Sequence, residues 1–334
     1  MAISAQAVKQ LKELTNCGMM DCKRALEETN GDVDAAIKNL REKGLAKAAK
    51  KSGRIAAEGL VYTKIDEAKK VGVVVEINVE TDFAAKTDRF IEFVELVANT
   101  IIDNDVADVD ALKEVVPAGQ TEKIADILTE RIATIGENIQ IRRFKRMTGN
   151  LFAYTHNGGG SIIGSMIKIE ADDVDSDAVK ACAKDLLLQI TASAPQFVAQ
   201  ADVPASVIEA EKEVQLKLVQ NENEQSAKPK PQNVLEKIVD GRMRKFAEEI
   251  CLLDQPYVKD PNLTVAKFIA SVGKNIKVVE FVRFEKGEEF RRRKTTSQQK
   301  LLQWLSNYTD IMKALSKRSG LFVLGKSSSH SNPE

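Results

Sequence analysis

Few residues in this chain could do covalent chemistry, and those few are poorly placed for it. There are two histidines. His156 sits in Thr155-His156-Asn157-Gly158-Gly159-Gly160, a turn composition, and reads either as an exposed turn residue or as a contact for a partner. His330 lies in a Ser-rich terminus. Cys17, Cys22, Cys182 and Cys251 form no C-x-x-C pair, which argues against a zinc site or redox motif and for buried free thiols. No GxxxxGK[ST] cradle occurs. Gly158-Gly159-Gly160 joins two strand-like runs instead of opening a helix, so it reads as a hairpin turn. Acidic pairs such as Asp172-Asp173 and Glu248-Glu249 are ordinary where 29% of residues are charged. With no nucleophile, base or metal constellation, the chain is not expected to be an enzyme, and neither a metal nor a cofactor is expected.

The segment that stands out is Thr81-Asp82-Phe83-Ala84-Ala85-Lys86. It follows a run of strand residues, Val71 to Val79, and precedes a helical pattern. An acid and an aromatic ring side by side want opposite surroundings, so the pair suits insertion better than a core. The ring would wedge into an apolar pocket of a partner while the carboxylate disturbs a charge nearby. The residues alone also admit a plainer reading, in which Thr81 or Asp82 caps the helix and Phe83 folds back onto the sheet. Met19-Met20-Asp21 is open in the same way. Two flexible thioethers beside a glycine turn fill a core or make a contact patch.

The elements that would hold these residues follow from periodicity. Ser4 caps a first helix with Ala7, Val8, Leu11 and Leu14 on one side and Gly18 past its end. Met19 to Glu28 form a second, which Asn30-Gly31-Asp32 breaks. Asp32 caps a third, with Val33, Ala36, Ile37 and Leu40 at helical spacing and Gly44 after it. Three short helices make a bundle of the ubiquitin-associated type, a partner-binding module. Leu45 to Ala57 is helix-prone, and its Lys47, Lys50, Lys51 and Arg54 form a solvated face or a dock for an acidic partner. A repeat follows. Gly59 to Thr63 leads into Val71 to Ile77, and Gly149 to Thr155 leads into Ile163 to Ile169. Each hairpin precedes a helix, Thr87 to Ile102 and Asp177 to Thr191, and strands at Ile139 to Phe144 and Val278 to Phe284 complete the sheets. The expected fold class is α+β, two related subdomains of small antiparallel sheets with helices on one face. Val203 to Asn223, a break at Ala227-Lys228-Pro229-Lys230-Pro231, and Val234 to Ile250 read as an inserted helical hairpin with Val207, Ile208, Val214, Leu218 and Val219 as a thin seam. The expected domains are residues 1–54, 55–140, 141–290 with the hairpin at about 192–235, and a tail at 291–334.

Composition excludes other classes. No apolar run approaches the ~18 residues that span a bilayer, and Met1 to Gln6 lacks the basic and apolar regions of a signal peptide, so a cytoplasmic protein without membrane contact is expected. A net charge of zero hides an asymmetry: residues 291–334 carry nine Lys or Arg against two Asp or Glu. The remaining body is mildly acidic, which disfavours nucleic acid as its main partner, except through the tail.

Several segments in order carry a family resemblance. Thr81 to Lys86 resembles the TDFVAK motif of translation elongation factor Ts, with Ala84 where the family has Val. Gly18 to Leu26 is similar to that family's N-terminal signature. Asn30-Gly31-Asp32, Lys47 to Lys51, Ile135-Gly136-Glu137-Asn138-Ile139, Gly241 to Phe246 and Phe281 to Glu285 also match. The resemblance covers residues from about 1 to 288 and identifies a bacterial-type member. It implies the bundle, the two-subdomain core and the helical hairpin already read from the residues. It also implies a partner, elongation factor Tu, whose GDP release the family speeds. Met19, Met20 and Asp21 match residues that touch the partner's nucleotide domain, and His156 falls at a second contact. Thr81, Asp82, Phe83 and Ala84 match the segment that intrudes near its magnesium and displaces it. The hairpin leaves open a homodimer of the complex. After Gly287-Glu288 the resemblance stops. Arg291-Arg292-Arg293-Lys294 and an amphipathic run, Leu301, Leu302, Trp304, Leu305, Ile311, Met312 and Leu315, read as a solvated extension, a frameshift or cloning junction, or an RNA- or anionic-membrane-binding tail. The alternative function is a ribosome- or RNA-associated protein acting through that tail.

Overall fold

The computed structural model describes residues 3–15, 17–158, 161–226 and 229–288. The expectations for the basic tail, for His330, and for part of the hairpin break lie outside them. The chain divides into two units after Lys286.

The N-terminal bundle comprises α1 (Ala5–Thr15), α2 (Met19–Glu28) and α3 (Val33–Lys51). Both expected caps form. The Ala7 amide donates to Ser4 Oγ at 3.1 Å, and the Ala35 amide donates to Asp32 Oδ1 at 3.0 Å. The turn between α2 and α3 places Asn30 and Gly31 at φ 54° and 89°, a left-handed pair that stops a helix. Val8, Leu11, Cys22, Ala25, Leu26, Ala36 and Leu40 make the core, while Leu14, expected inside, is exposed. Gly44 does not end α3. The helix continues through the Ala/Lys-rich stretch, and Gly44 lies buried where α3 crosses α7 (Ile124–Ile135).

The core is two three-stranded antiparallel sheets. The first pairs β1 (Glu58–Asp66), β2 (Val71–Val79) and β3 (Ile139–Thr148) in that order. The second pairs β4 (Leu151–Gly158), β5 (Ser161–Glu170) and β8 (Lys277–Glu285), after a small ribbon of β6 (Pro256–Tyr257) and β7 (Asp260–Thr264). Pairing of β3 with β2 runs through to Thr148, so the first sheet extends past residue 140. Single-turn α4 (Asp82–Ala85) follows β2. Behind the first sheet lie α5 (Asp88–Asp103), α6 (Val109–Lys113) and α7. Phe90, Phe93, Val94, Val97 and Ile101 recur at helical spacing on α5 and pack on Val73, Val75, Ile77 and Val79, all buried. Behind the second sheet, α8 (Asp177–Ser193) and α11 (Val265–Val272) supply Val179, Leu186, Ile190 and Val265 to Ile167 and Ile169. Each such side chain stabilises by about 1.5–3 kcal/mol.

The other faces of the two sheets meet through Val61, Val74, Met147 and Met166. This explains why β2 is buried along its whole length. The repeat has a spatial meaning here. Thr63 Oγ1 lies 2.9 Å from Thr155 Oγ1, its own counterpart 92 residues on, as residues beside a two-fold axis do. Gly72 and Gly164, also counterparts, both sit at the sheet–sheet contact. A Cβ on Gly164 would come within 2.6 Å of Val61 Cγ1, and one on Gly72 within 2.7 Å of Met166 Sδ. Buried Glu76 projects toward the same interface and accepts from Arg143 Nε at 2.7 Å, while Arg143 also covers the Phe284 ring at 4.3 Å.

The inserted arm is α9 (Ala205–Glu224) and α10 (Gln232–Ile250), close to the two helices read at Val203 to Asn223 and Val234 to Ile250. Of the expected seam only Val219 is buried. It packs with Leu216 against Leu235, Ile238, Val239 and Met243, leaving Val207, Ile208, Val214 and Leu218 exposed.

Candidate functional site

Strand β2 delivers the chain to Glu80, and the next residue turns it. Thr81 is extended (φ −125°, ψ 155°) and caps α4, its Oγ1 accepting from the Ala84 amide at 3.2 Å. The same hydroxyl donates to Glu137 Oε1 at 2.7 Å, and the Thr81 amide donates to Glu137 Oε2 at 2.9 Å. A single carboxylate therefore grips both donors of one residue. Ala84 is buried beneath the turn in the first core, so its methyl faces inward. Asp82 and Phe83 face outward, Phe83 80% exposed. Both halves of the open sequence reading thus occur in part: Thr81 caps a helical turn, and Phe83 does not fold back.

Lys86, one turn on, ties the exposed pair together. Its Nζ lies 2.7 Å from Asp82 Oδ2 and 5.9 Å from the Phe83 ring centroid. The hydrogen bond from Lys86 holds the Asp82 carboxyl below its ordinary value. The site pairs an apolar ring with an anion that already has a cation partner, and that cation is on the surface, open to exchange.

Asp82, Phe83 and Lys86 line one side of an open hollow of about 630 Å³ whose other side includes Glu58, Asn157 and Lys286. Asn157 brings the β4–β5 hairpin into the site. His156 is a strand residue, paired with Ile163, and not a turn residue as its composition suggested. It is exposed, with its Nδ1 3.3 Å from Tyr154 Oη.

Met19, Met20 and Asp21 form a separate patch on the first turn of α2. Met19 is 54% and Met20 64% exposed, which excludes core filling. Asp21 accepts from Arg24 Nη2 at 2.5 Å and from Lys47 Nζ at 3.2 Å. Its partial burial alone would raise its pKa, and the two cations bring it below the ordinary value. The basic stretch of α3 and the turn after it is therefore partly spent inside the molecule, with Lys47 on Asp21 and Arg54 Nη1 at 3.6 Å from Glu80.

Two contributors lay beyond the sequence reading. Lys86 had a signal, the four-residue spacing to Asp82 that lets two charges meet on a helical turn. Glu137 lay in a segment matched to the family, but no spacing tied it to Thr81, 56 residues away. Among the described residues no group of three or more His, Cys, Asp or Glu could hold a metal, and no helix is long and apolar enough to cross a membrane. All four cysteines are free; Cys22, Cys182 and Cys251 are buried and Cys17 is partly so.

Comparison with known proteins places the chain by sequence. A family model described as elongation factor TS matches residues 80–288, which contain the Thr81 turn, the hairpin at His156 and the arm. The chain is 44% identical over 294 residues to elongation factor Ts of Clostridium perfringens, covering 86% of this chain and 93% of that one. It is 47% identical over 291 residues to that of Alkalilimnicola ehrlichii and 42% over 291 to that of Halothermothrix orenii, with the same coverage.

Proposed function

The chain belongs to the elongation factor Ts family and is a translation elongation factor; we propose that it acts as the guanine-nucleotide exchange factor of elongation factor Tu. The observation that carries this reading is the 80% exposed Phe83 beside Asp82, on a turn whose backbone is gripped from behind. An exposed aromatic on a rigid turn exposes apolar surface to water, and a partner's pocket is what removes it.

In this reading Met19, Met20 and Asp21 engage the partner's nucleotide domain, and His156 makes a second contact. Phe83 enters beside the magnesium site, Asp82 follows, and Thr81 and Ala84 hold the turn. Magnesium demands near-ideal octahedral geometry, so a small shift of its ligands weakens it and the phosphates it bridges. GDP leaves without a covalent step, and GTP replaces it by mass action. Coupling is reciprocal: whatever weakens GDP on the complex equally weakens this chain on GDP-bound Tu, so rebinding nucleotide ejects it.

The test is release of a fluorescent GDP from elongation factor Tu by stopped flow. The wild-type chain should accelerate release strongly. Asp82→Ala/Phe83→Ala should remove most of that acceleration, and Met19→Ala/Met20→Ala should raise the concentration needed. A double variant of Asp82 and Phe83 that retains full acceleration would sink the reading.

A further inference from the structure

We propose that Glu137 and Asn138 are positioning residues, which hold the Thr81–Phe83 turn in its inserting geometry and fix its spacing to the Met19–Met20 patch. The proposal rests on the reading of that turn as the exchange wedge. The two residues follow Gly136, whose left-handed φ of 88° ends α7 and turns the chain back toward the end of β2. From there they act in opposite directions. Glu137 takes both donors of Thr81, as described above. Asn138, 2% exposed, donates its amide to Glu80 Oε1 at 2.7 Å. Its side-chain Nδ2 donates to the Arg54 carbonyl at 2.8 Å and faces the Ser52 carbonyl at 3.5 Å.

Ser52 and Arg54 are the first residues past α3, the helix whose Lys47 grips Asp21 beside the methionines. One two-residue turn thus joins three segments: the exit of the N-terminal bundle, the approach to the wedge, and the wedge itself. Arg54 Nη1, 3.6 Å from Glu80 Oε2, closes the same ring. A buried side-chain amide satisfied only by backbone carbonyls of a distant segment fixes position and does little else. Two patches that must engage one partner at once gain from such fixed spacing, because the second contact then forms at high effective concentration.

The experiment measures GDP release from elongation factor Tu against concentration of the full chain, for Glu137→Ala, Glu137→Gln and Asn138→Ala. Each is made alone and in two backgrounds, Phe83→Ala and Met19→Ala/Met20→Ala. Glu137→Ala should lower the saturating rate by about tenfold or more, with the half-saturating concentration within about twofold. Glu137→Gln should recover part of the loss, since an amide oxygen accepts one of the two bonds. With Phe83 already removed, Glu137→Ala should cost nothing further. Asn138→Ala should raise the half-saturating concentration, and that effect should vanish once both methionines are gone. Additive losses in these backgrounds, or losses that only track melting temperature, overturn the proposal. Should Glu137→Ala not fold, Thr81→Ala removes one bond of the same grip from the other side, and the same pattern is required of it. A Phe83→Ala chain that still exchanges at full rate refutes the wedge itself. In that case hydrogen exchange at the Thr81 and Ala84 amides reads the grip independently: Glu137→Ala must speed it about tenfold, and unchanged protection would overturn the clamp as well.

Discussion

Phe83→Ala separates what the ring does for this chain from what it offers a partner. A phenylalanine buries about 150–250 Å² when fully enclosed. Here 80% of the residue's surface remains exposed, so about 120–200 Å² is still available. At about 25 cal/mol per Å² that is roughly 3–5 kcal/mol for docking, against about 1 kcal/mol or less already realised in the fold. Had the ring folded back onto the sheet, the same substitution would cost the fold about 3–5 kcal/mol. Urea unfolding followed by far-ultraviolet circular dichroism gives the first quantity, and calorimetric titration into nucleotide-free elongation factor Tu gives the second. The expected result is a fold destabilised by no more than about 1 kcal/mol and an affinity reduced by 2 kcal/mol or more, about thirtyfold. A fold destabilised by over 2 kcal/mol with unchanged affinity would refute the argument, because the ring would then belong to the core.

Three further predictions test local physics. Gly44→Ala should stabilise the chain by about 0.5–1 kcal/mol in urea unfolding, since the position is mid-helix and the new methyl meets Ala133 Cβ at an ordinary 3.6 Å; destabilisation would mean that the α3–α7 crossing is tighter than that contact. Asp82 should titrate below an ordinary carboxylate by carbon NMR, and Lys86→Ala should return it upward. Because the folded value is depressed, the Asp82–Lys86 attraction is fully present above about pH 3.9 and fades as pH falls through the folded value; an Asp82 unmoved by Lys86→Ala would remove that contact from the account. Of the four thiols, Cys17 should react first with an aromatic disulfide at pH 8. Cys182, pushed up to about 11 by burial, should wait for unfolding together with buried Cys22 and Cys251, and rapid modification of Cys182 in the folded chain would contradict its packing.

The sequence by itself determined the elements whose causes are local. Ser4 and Asp32 cap the helices expected of them, because a cap needs only an oxygen three residues before an amide. The repeat fixed two hairpins and their following helices, since alternation and helical spacing are properties of neighbouring residues. Family membership was also legible, because ordered motifs need no coordinates. Other features depended on what each segment packs against, and only the tertiary structure decided them. Gly44 reads as a helix stop, yet α7 gives the continuing helix a face to cover. The arm's seam kept Val219 and took in Leu216, because α10 selects the face it meets, and His156 became a strand residue because Ile163 pairs with it. For Thr81-Asp82-Phe83 local types could not say whether the ring folds back onto the sheet or faces outward. The choice came from Glu137, 56 residues away, whose carboxylate fixes the turn so that Ala84 faces in and Phe83 faces out. Hydrogen bonds between segments so far apart leave no period or spacing in the chain. They exist only once the two sheets and the bundle have brought their donors and acceptors together.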